Sequence, residues 1–488
     1  MRFLSILTSL SLTSLAAFAC TENADIAQDR PIQATGGSSQ ESTSRGGATQ
    51  TSPGVGGATQ TSPGVGGATT GGAPAAGGVA GQASEDDLRA DIEPITTPDI
   101  SDSEYAAFIA DANAFGLDLT QRVEVTNALT SKNAVFSPVS AQIALAMAYA
   151  GAAGETATAM ATTLHDTVGP AKYHAGSNRL LRDLASRNGQ VSPRSSSQPL
   201  RIELSPANSL WVERTLSIKT PFLNTLGQHY DSGLRRVNFV DQPEPSRIAI
   251  NQWVADHTHD RITDLLNSGD VGSLTRLVLV NALYLYANWD ELFRVETTSP
   301  EVFHSLAGPE VQANMMHANR NLEYKATDAV EVVRLPYATG NLWMTLVLPK
   351  AGQFEAVRAS VTGQSLAELS AGLAPTDVNL ALPKFKIATD QLDLNAALSQ
   401  LGMQAAFGNA ANFTGITDSP LFISKVVQKA FIGVDEKGTE AAAATAVMMS
   451  GSAIITPIPL AFDRPFLYFV QDKTGLVLFA GHVVDPTM

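Results

Sequence analysis

Between Thr439 and Phe462 the chain carries one ionisable side chain, Glu440, and from Met448 to Pro459 it carries none. Composition alone would allow a buried helix over Ala441–Ala444, Thr445, Ala446 and Val447, because alanine is the best helix former. Gly438 ahead of the run, Thr445 within it, and Gly451, Pro457 and Pro459 behind it oppose that reading. Taken by twos, one face holds Thr439, Ala441, Ala443, Thr445, Val447 and Met449, all small or apolar. The other holds Glu440, Ala442, Ala444, Ala446, Met448 and Ser450. Such a segment can stand as an exposed loop or enter a sheet with its first face on a core. Gly438 gives the backbone freedom where the chain must turn outward or run straight on. The fold therefore has to offer this segment two places.

The first hundred residues obey different rules. Arg2, the apolar stretch Leu4–Ala19 and the A-x-A pattern Ala17-Phe18-Ala19 make residues 1–19 a signal peptide, too short and too polar for a membrane span. The only cysteine, Cys20, follows directly. Two readings stand: lipidation of Cys20 as in a bacterial lipoprotein, or an incidental residue after ordinary cleavage. Its position favours lipid anchoring to a membrane, whereas Phe18 sits badly in the small-residue box. Either way the chain is expected outside the cytosol, extracellular or in the cell envelope. One cysteine makes no intramolecular disulfide.

Residues 20–100 read as a disordered tether. The decamer GGATQTSPGV fills Gly46–Val55 and Gly56–Val65 and starts again at Gly66. Stacked repeats must bury apolar positions, which this decamer lacks, and Gly, Ser and Thr cannot offset the entropy of ordering. About 75 residues of such coil reach roughly 45–50 Å, at about 5–6 Å times the square root of length.

From residue 101 to 488 the patterning is that of one large folded domain. Helical spacing runs over Ser103–Leu119, after Ser137-Pro138, and over Ile248–Leu266. Strand-like runs are Arg201–Trp211, Leu277–Tyr286, Val330–Leu335, Leu342–Leu348 and Val378–Ile387. Helices come early and strands late without βαβ alternation, which gives an α+β class. The net charge of -15 excludes a nucleic-acid partner. No G-x-S-x-G, H-E-x-x-H or Walker A motif is present, so no enzyme activity, cofactor or metal is expected. His257 and His259 lie in the helical stretch and read as a solvated face.

The segments Asn133–Pro138, Ala144–Met147, Gly151–Thr156, Ala207–Trp211, Ile250–Val254, Val280–Tyr284 with Trp289, Leu335–Tyr337, Leu382–Phe385, Arg464–Phe466 and Phe479–His482 occur in an order that resembles the serpin family over roughly residues 103–488. The first of these look like the family's early helices. The resemblance implies a serpin fold with three β-sheets, surrounding helices and an exposed reactive-centre loop. It implies a suicide substrate for serine proteases: the loop is cleaved, an acyl-enzyme forms, and the freed loop inserts into the central sheet. The hinge would be Glu436, Gly438, Thr439, Glu440, Ala441, Ala442, Ala443, Ala444 and Thr445, with Thr439 entering first. A change such as Thr439→Arg is then expected to turn inhibitor into substrate. Counting forward from Gly438 places the scissile bond at Ser452–Ala453, and counting back from Arg464 places it near Ile454–Ile455. No Lys or Arg lies between Ala441 and Asp463, so a trypsin-like pocket has nothing to grip. An elastase-like target fits best, and Met448 or Met449 keeps chymotrypsin- or subtilisin-like targets open. The shutter would be Ser137, Ser140, Asn281 and Gln428, the last standing where relatives have histidine and able to bond Asn281 or Ser140. A monomer is expected. The rival reading is a non-inhibitory serpin-fold binding protein.

Overall fold

The computed structural model describes residues 86–191, 199–439 and 456–488. Ser101 opens α1 (Asp102–Thr126) with a reciprocal cap, accepting from the Glu104 amide while the Glu104 carboxylate accepts from the Ser101 amide. Tyr105, Phe108, Ile109, Ala112, Phe115 and Leu119 recur at helical spacing and are all buried. Ser137 caps α2 (Pro138–Tyr149), whose residues are all buried, so this helix is a core element rather than an amphipathic one.

The central sheet is mixed and ten-stranded. Its strands include β1 (Asp87–Leu88), β2 (Leu200–Glu213), β3 (Leu234–Val237), β4 (Leu277–Asn288), β5 (Phe385–Ala388), β6 (Lys425–Gln428), β7 (Phe431–Asp435) and β8 (Gly438–Thr439). They run in the order β1-β3-β2-β4-β8-β7-β5, and β6 pairs β4 in parallel. Helix α3 (Pro243–His257) lies on one face, where Ile250 and Val254 join Trp211, Val278, Val280 and Val427 in a small core. The principal core, with Leu283, Leu285 and Ala287 of β4, fills the other face against α1, α2 and the second sheet.

The second sheet joins nine strands in one hydrogen-bonded network. It consists of two leaves. Ala374–Pro383 pairs most of the long strand Glu310–Ala326, and only the end of that strand, Glu323–Ala326, is paired with Val330–Pro336 to reach the other leaf. With the central sheet, the two leaves make up the layers of the expected serpin fold.

Four expectations change. The run Val378–Ile387 is not one strand: it breaks at Lys384, so that Ala374–Pro383 belongs to the second sheet and β5 to the central one. The helix expected to continue to Leu266 stops at His257. Buried Thr258 ends it, its hydroxyl donating to Val254 O and accepting from the Ile262 amide, and His259 and Asp260 follow with positive φ. Ala134–Phe136, grouped with the early helices, is a strand of the second sheet. The tether is also shorter than 20–100, because residues 86–100 are ordered against the domain. There β1 pairs β3, Asp86 O accepts from the Arg236 amide at 2.6 Å, and Ile95 N–H reaches Gln228 O at 2.9 Å.

Candidate functional site

The edge of β4 that faces β7 is built in three parts. At its end, β8 lies between β4 and β7, with Gly438 opposite Asn288 and Thr439 opposite Ala287. At its start, Lys425–Gln428 of β6 faces Val278–Asn281. Between the two ladders lies the stretch Ala282–Tyr286 of β4, the slot between the two ends.

The end near Thr439 is closed by packing and charge. Gly438 takes φ +149, and a Cβ there would stand 2.0 Å from Ala287 O, so only glycine fits. Thr439 is buried, and its hydroxyl shares a 2.7 Å hydrogen bond with the Tyr337 hydroxyl. The Tyr337 ring stacks on Trp289 at 4.6 Å and 11°. Trp289 donates its backbone N–H to Lys437 O and its indole N–H to Asp435 O, at 2.8 and 3.0 Å. Glu436 is buried and holds Lys384 Nζ at 2.8 Å and the Thr298 hydroxyl at 2.9 Å. Burial opposes ionisation of Glu436, but the bonds from Lys384, the backbone and Thr298 outweigh it and hold its carboxyl below the ordinary range. Asp435 goes the other way: burial raises it.

The start of the slot is closed by neutral amides. Gln428, fully buried, accepts from the Ser137 amide at 2.8 Å and donates to Ser137 O at 2.9 Å and Asn281 Oδ1 at 2.5 Å. Asn281 in turn donates to Val427 O at 2.7 Å. The Ser137 hydroxyl, besides capping α2, donates to Leu478 O at 2.9 Å. Gln428 thus pins the N-terminus of α2 to β4 and β6 with three bonds and no charge.

The structure brings Ser137, Asn281 and Gln428 together. Ser140 does not bond Gln428: its hydroxyl donates to Asn208 Oδ1 on β2, at 2.7 Å. Thr439 is likewise not waiting outside the sheet but already paired within it. Glu440, Ala441, Ala442, Ala443, Ala444 and Thr445, the scissile candidates Ser452, Ala453, Ile454 and Ile455, and Cys20 all lie outside the described residues. The two ends of that segment sit in different sheets, Thr439 in the central one and Ile458–Ala461 in the second, parallel to Val378–Ala381. His257 and His259 do not converge: His257 Nδ1 lies 2.7 Å from Trp253 O and His259 Nε2 lies 2.7 Å from Glu203.

Sequence reasoning did not assign Tyr337, Lys384, Thr298 or Asn208 to the site. Tyr337 and Lys384 stand in the quoted segments Leu335–Tyr337 and Leu382–Phe385, which was the available signal. No spacing rule connects them to residues a hundred or fifty positions away.

Comparison with known proteins agrees with this layout. Residues 110–486 match the family model described as Serpin (serine protease inhibitor). An uncharacterized serpin-like protein of Thermococcus kodakarensis is 36% identical over 379 residues, covering 77% of this chain and 84% of that protein. Leukocyte elastase inhibitor A of Mus musculus is 34% identical over 389 residues, covering 76% and 97%. The crystal structure of Serpin48 from the insect Tenebrio molitor matches with a TM-score of 0.67 at 29% identity, over 79% of this chain and 99% of that one.

Proposed function

The chain belongs to the serpin family, a family of protease inhibitors and not of enzymes, and we propose that it is an inhibitory member that traps elastase-like, or chymotrypsin- or subtilisin-like, serine proteases. The observation that carries this is Thr439 seated between Ala287 of β4 and Val434 of β7, at the head of a segment whose alternate residues are small or apolar. Continuing the register from Thr439 opposite Ala287 puts Ala441 opposite Leu285 and Ala443 opposite Leu283. Both leucines face the principal core, which takes small side chains from the inserted strand. Glu440 falls beside the half-buried Tyr286, on the other face. Each inserted residue completes ladder bonds worth about 0.5–1.5 kcal/mol apiece.

The same register takes Ala444 opposite Ala282 and Thr445 between Asn281 and Gln428, which now pair with each other. Insertion past Ala444 therefore has to split the shutter. The chemistry belongs to the protease: its serine oxygen bonds to the scissile carbonyl carbon, the peptide C–N bond breaks, and the departing amine takes a proton from the protease histidine. The freed strand then zips along β4, and the protease travels with the ester that holds it. Small and aliphatic residues at Ser452–Ile455 support an elastase-like target, as does likeness to a relative named leukocyte elastase inhibitor A.

The test mixes the chain from Thr21 onward with a pancreatic-type elastase and follows denaturing gels and mass spectrometry. A covalent adduct, with a C-terminal fragment starting between Ala453 and Ile455, is expected. Since Thr439 is already packed in the sheet, the cleaner hinge variant is Ala443→Arg, which forces a charge against Leu283. It should keep cleavage and lose adduct by about tenfold or more. Clean cleavage of the unaltered chain, with neither adduct nor a rise in heat stability, would favour a non-inhibitory binding protein.

A further inference from the structure

A cavity of about 230 Å³ lies beside the ordered strap that precedes α1, walled by Asp87 and Arg89 of the strap, Met147 of α2, Asn208 of β2, Arg235 next to β1, and Trp253 of α3. Two of its buried donors have no acceptor among the described residues. Asn208 spends its carbonyl oxygen on Ser140, and its buried Nδ2 finds no partner among the described residues. The buried indole N–H of Trp253 finds none either. Arg235 lies over the rings of Trp211 and Trp253, at 5.5 and 5.1 Å from their centres. Its one carboxylate is Asp87, 3.7 Å away, and that carboxylate is shared with Arg89 at 3.5 Å. Asp231 stands 4.0 Å from Arg89, but its side chain is 81% exposed, where water screens it. Burial pushes the Arg235 guanidinium below its ordinary ionisation range, in keeping with a charge that Asp87 compensates only in part.

Buried donors are ordinarily satisfied, and an unsatisfied one costs about 1–3 kcal/mol. Here two such donors and two guanidiniums sharing one partly buried carboxylate, the Arg89 one itself exposed, line one space with an apolar floor and an indole wall. We propose that this cavity binds a small organic carboxylate with a flat apolar body. The carboxylate would lie against Arg235, Arg89 and the Asn208 amide, and the body against Met147 and Trp253. The volume falls below the roughly 300–1,000 Å³ of drug-sized sites, which limits the ligand to a single small ring. A cation would find the Asp87 carboxylate already held by two guanidiniums and the Asp231 carboxylate exposed to water. The proposal rests on the cavity alone and is independent of protease inhibition.

The test titrates the chain from Thr21 onward with benzoate, read by calorimetry and by tryptophan fluorescence. Benzyl alcohol supplies the ring without the charge, and sulfate the charge without the ring. Saturable benzoate binding that perturbs the fluorescence is expected, at least about tenfold tighter than either control, and weakened about tenfold in Arg235→Gln. Arg89→Gln, on the strap and outside the sheet, should weaken it in the same direction should Arg235→Gln fail to fold. No saturable benzoate binding, equal binding of either control, or unchanged binding in the folded arginine variants would overturn the proposal.

Discussion

At one end of the slot in the central sheet, Trp289 stacks on Tyr337, Thr439 bonds the tyrosine, and Glu436 pairs with Lys384. At the other end, Gln428 bridges Ser137 and Asn281 with neutral hydrogen bonds, on a ladder running only from Lys425 to Gln428. The first closure depends on buried aromatic area and ionised groups, the second on amide geometry. The two ends are therefore sensitive to different perturbations. Packing changes and acid should loosen the Thr439 end, while only loss of hydrogen-bond partners should loosen the Gln428 end. A strand that has already started at Thr439 advances towards the weaker closure.

The largest effect expected from breaking this contrast is at Trp289. Trp289→Ala removes a fully buried ring and its indole hydrogen bond to Asp435 O, and should lower native-state stability by about 3–5 kcal/mol, measured from denaturant unfolding. A loss below about 1 kcal/mol would mean that the stack does not hold that end. Next, Gln428→Ala leaves both backbone groups of Ser137 and the Asn281 oxygen without their partner, at about 1–3 kcal/mol. It should also speed spontaneous passage to an inserted, heat-stable form, followed by native gels on warming. Gln428→His sharpens the contrast by adding a titration. Neutral imidazole can accept from the Ser137 amide, and imidazolium cannot, so passage should quicken as pH falls through about 6.5 in this variant and stay flat in the parent.

The smallest effect is at the charged end. The Glu436 carboxyl lies below 4.5 in the folded state, so its contribution is complete above pH 4.5 and is lost as pH falls through the lowered value. Asp435 runs opposite: its carboxyl is raised above 3.8, so its charge costs the native state at neutral pH, and protonation relieves that cost as pH falls through the raised value. Glu436→Gln should cost about 1 kcal/mol or less at pH 7, since Lys384 is 38% exposed, and should flatten the acid-side loss. An unchanged acid limb in this variant would assign the loss to other carboxylates.

The alternation from Thr439 to Met449 was legible because a period of two survives in sequence whether or not the strand is paired. Its partner was not legible, because register is a relation between segments. That Thr439 is already seated depends on Ala287 and Tyr337, which lie more than a hundred residues away. The break at Lys384 had a local signal in Pro383, yet the apolar run on both sides masked the change of sheet. The end of α3 rests on a buried threonine making two local bonds, which composition does not disclose. The strap was hidden by its setting: Leu88, Ala90 and Ile92 alternate as an edge strand would, but they follow a long Gly-rich stretch that dominates any window average.

Ser137 gives its hydroxyl to Leu478, and the strand Val477–Val483 pairs Ala134–Phe136, so the shutter is completed by residues made well after β8. The segment after Thr439 is synthesised earlier. For the time it takes to make some forty residues, this segment and β4 coexist without the closing hairpin. Which pairing forms first is then a matter of arrival order. Pairing of Ile458–Ala461 with Val378–Ala381 is the event that strings the segment between two sheets, and it must come first. The hairpin Phe466–Val483 is in that sense a timer: whatever slows its arrival leaves the segment after Thr439 longer beside β4 without the closed shutter.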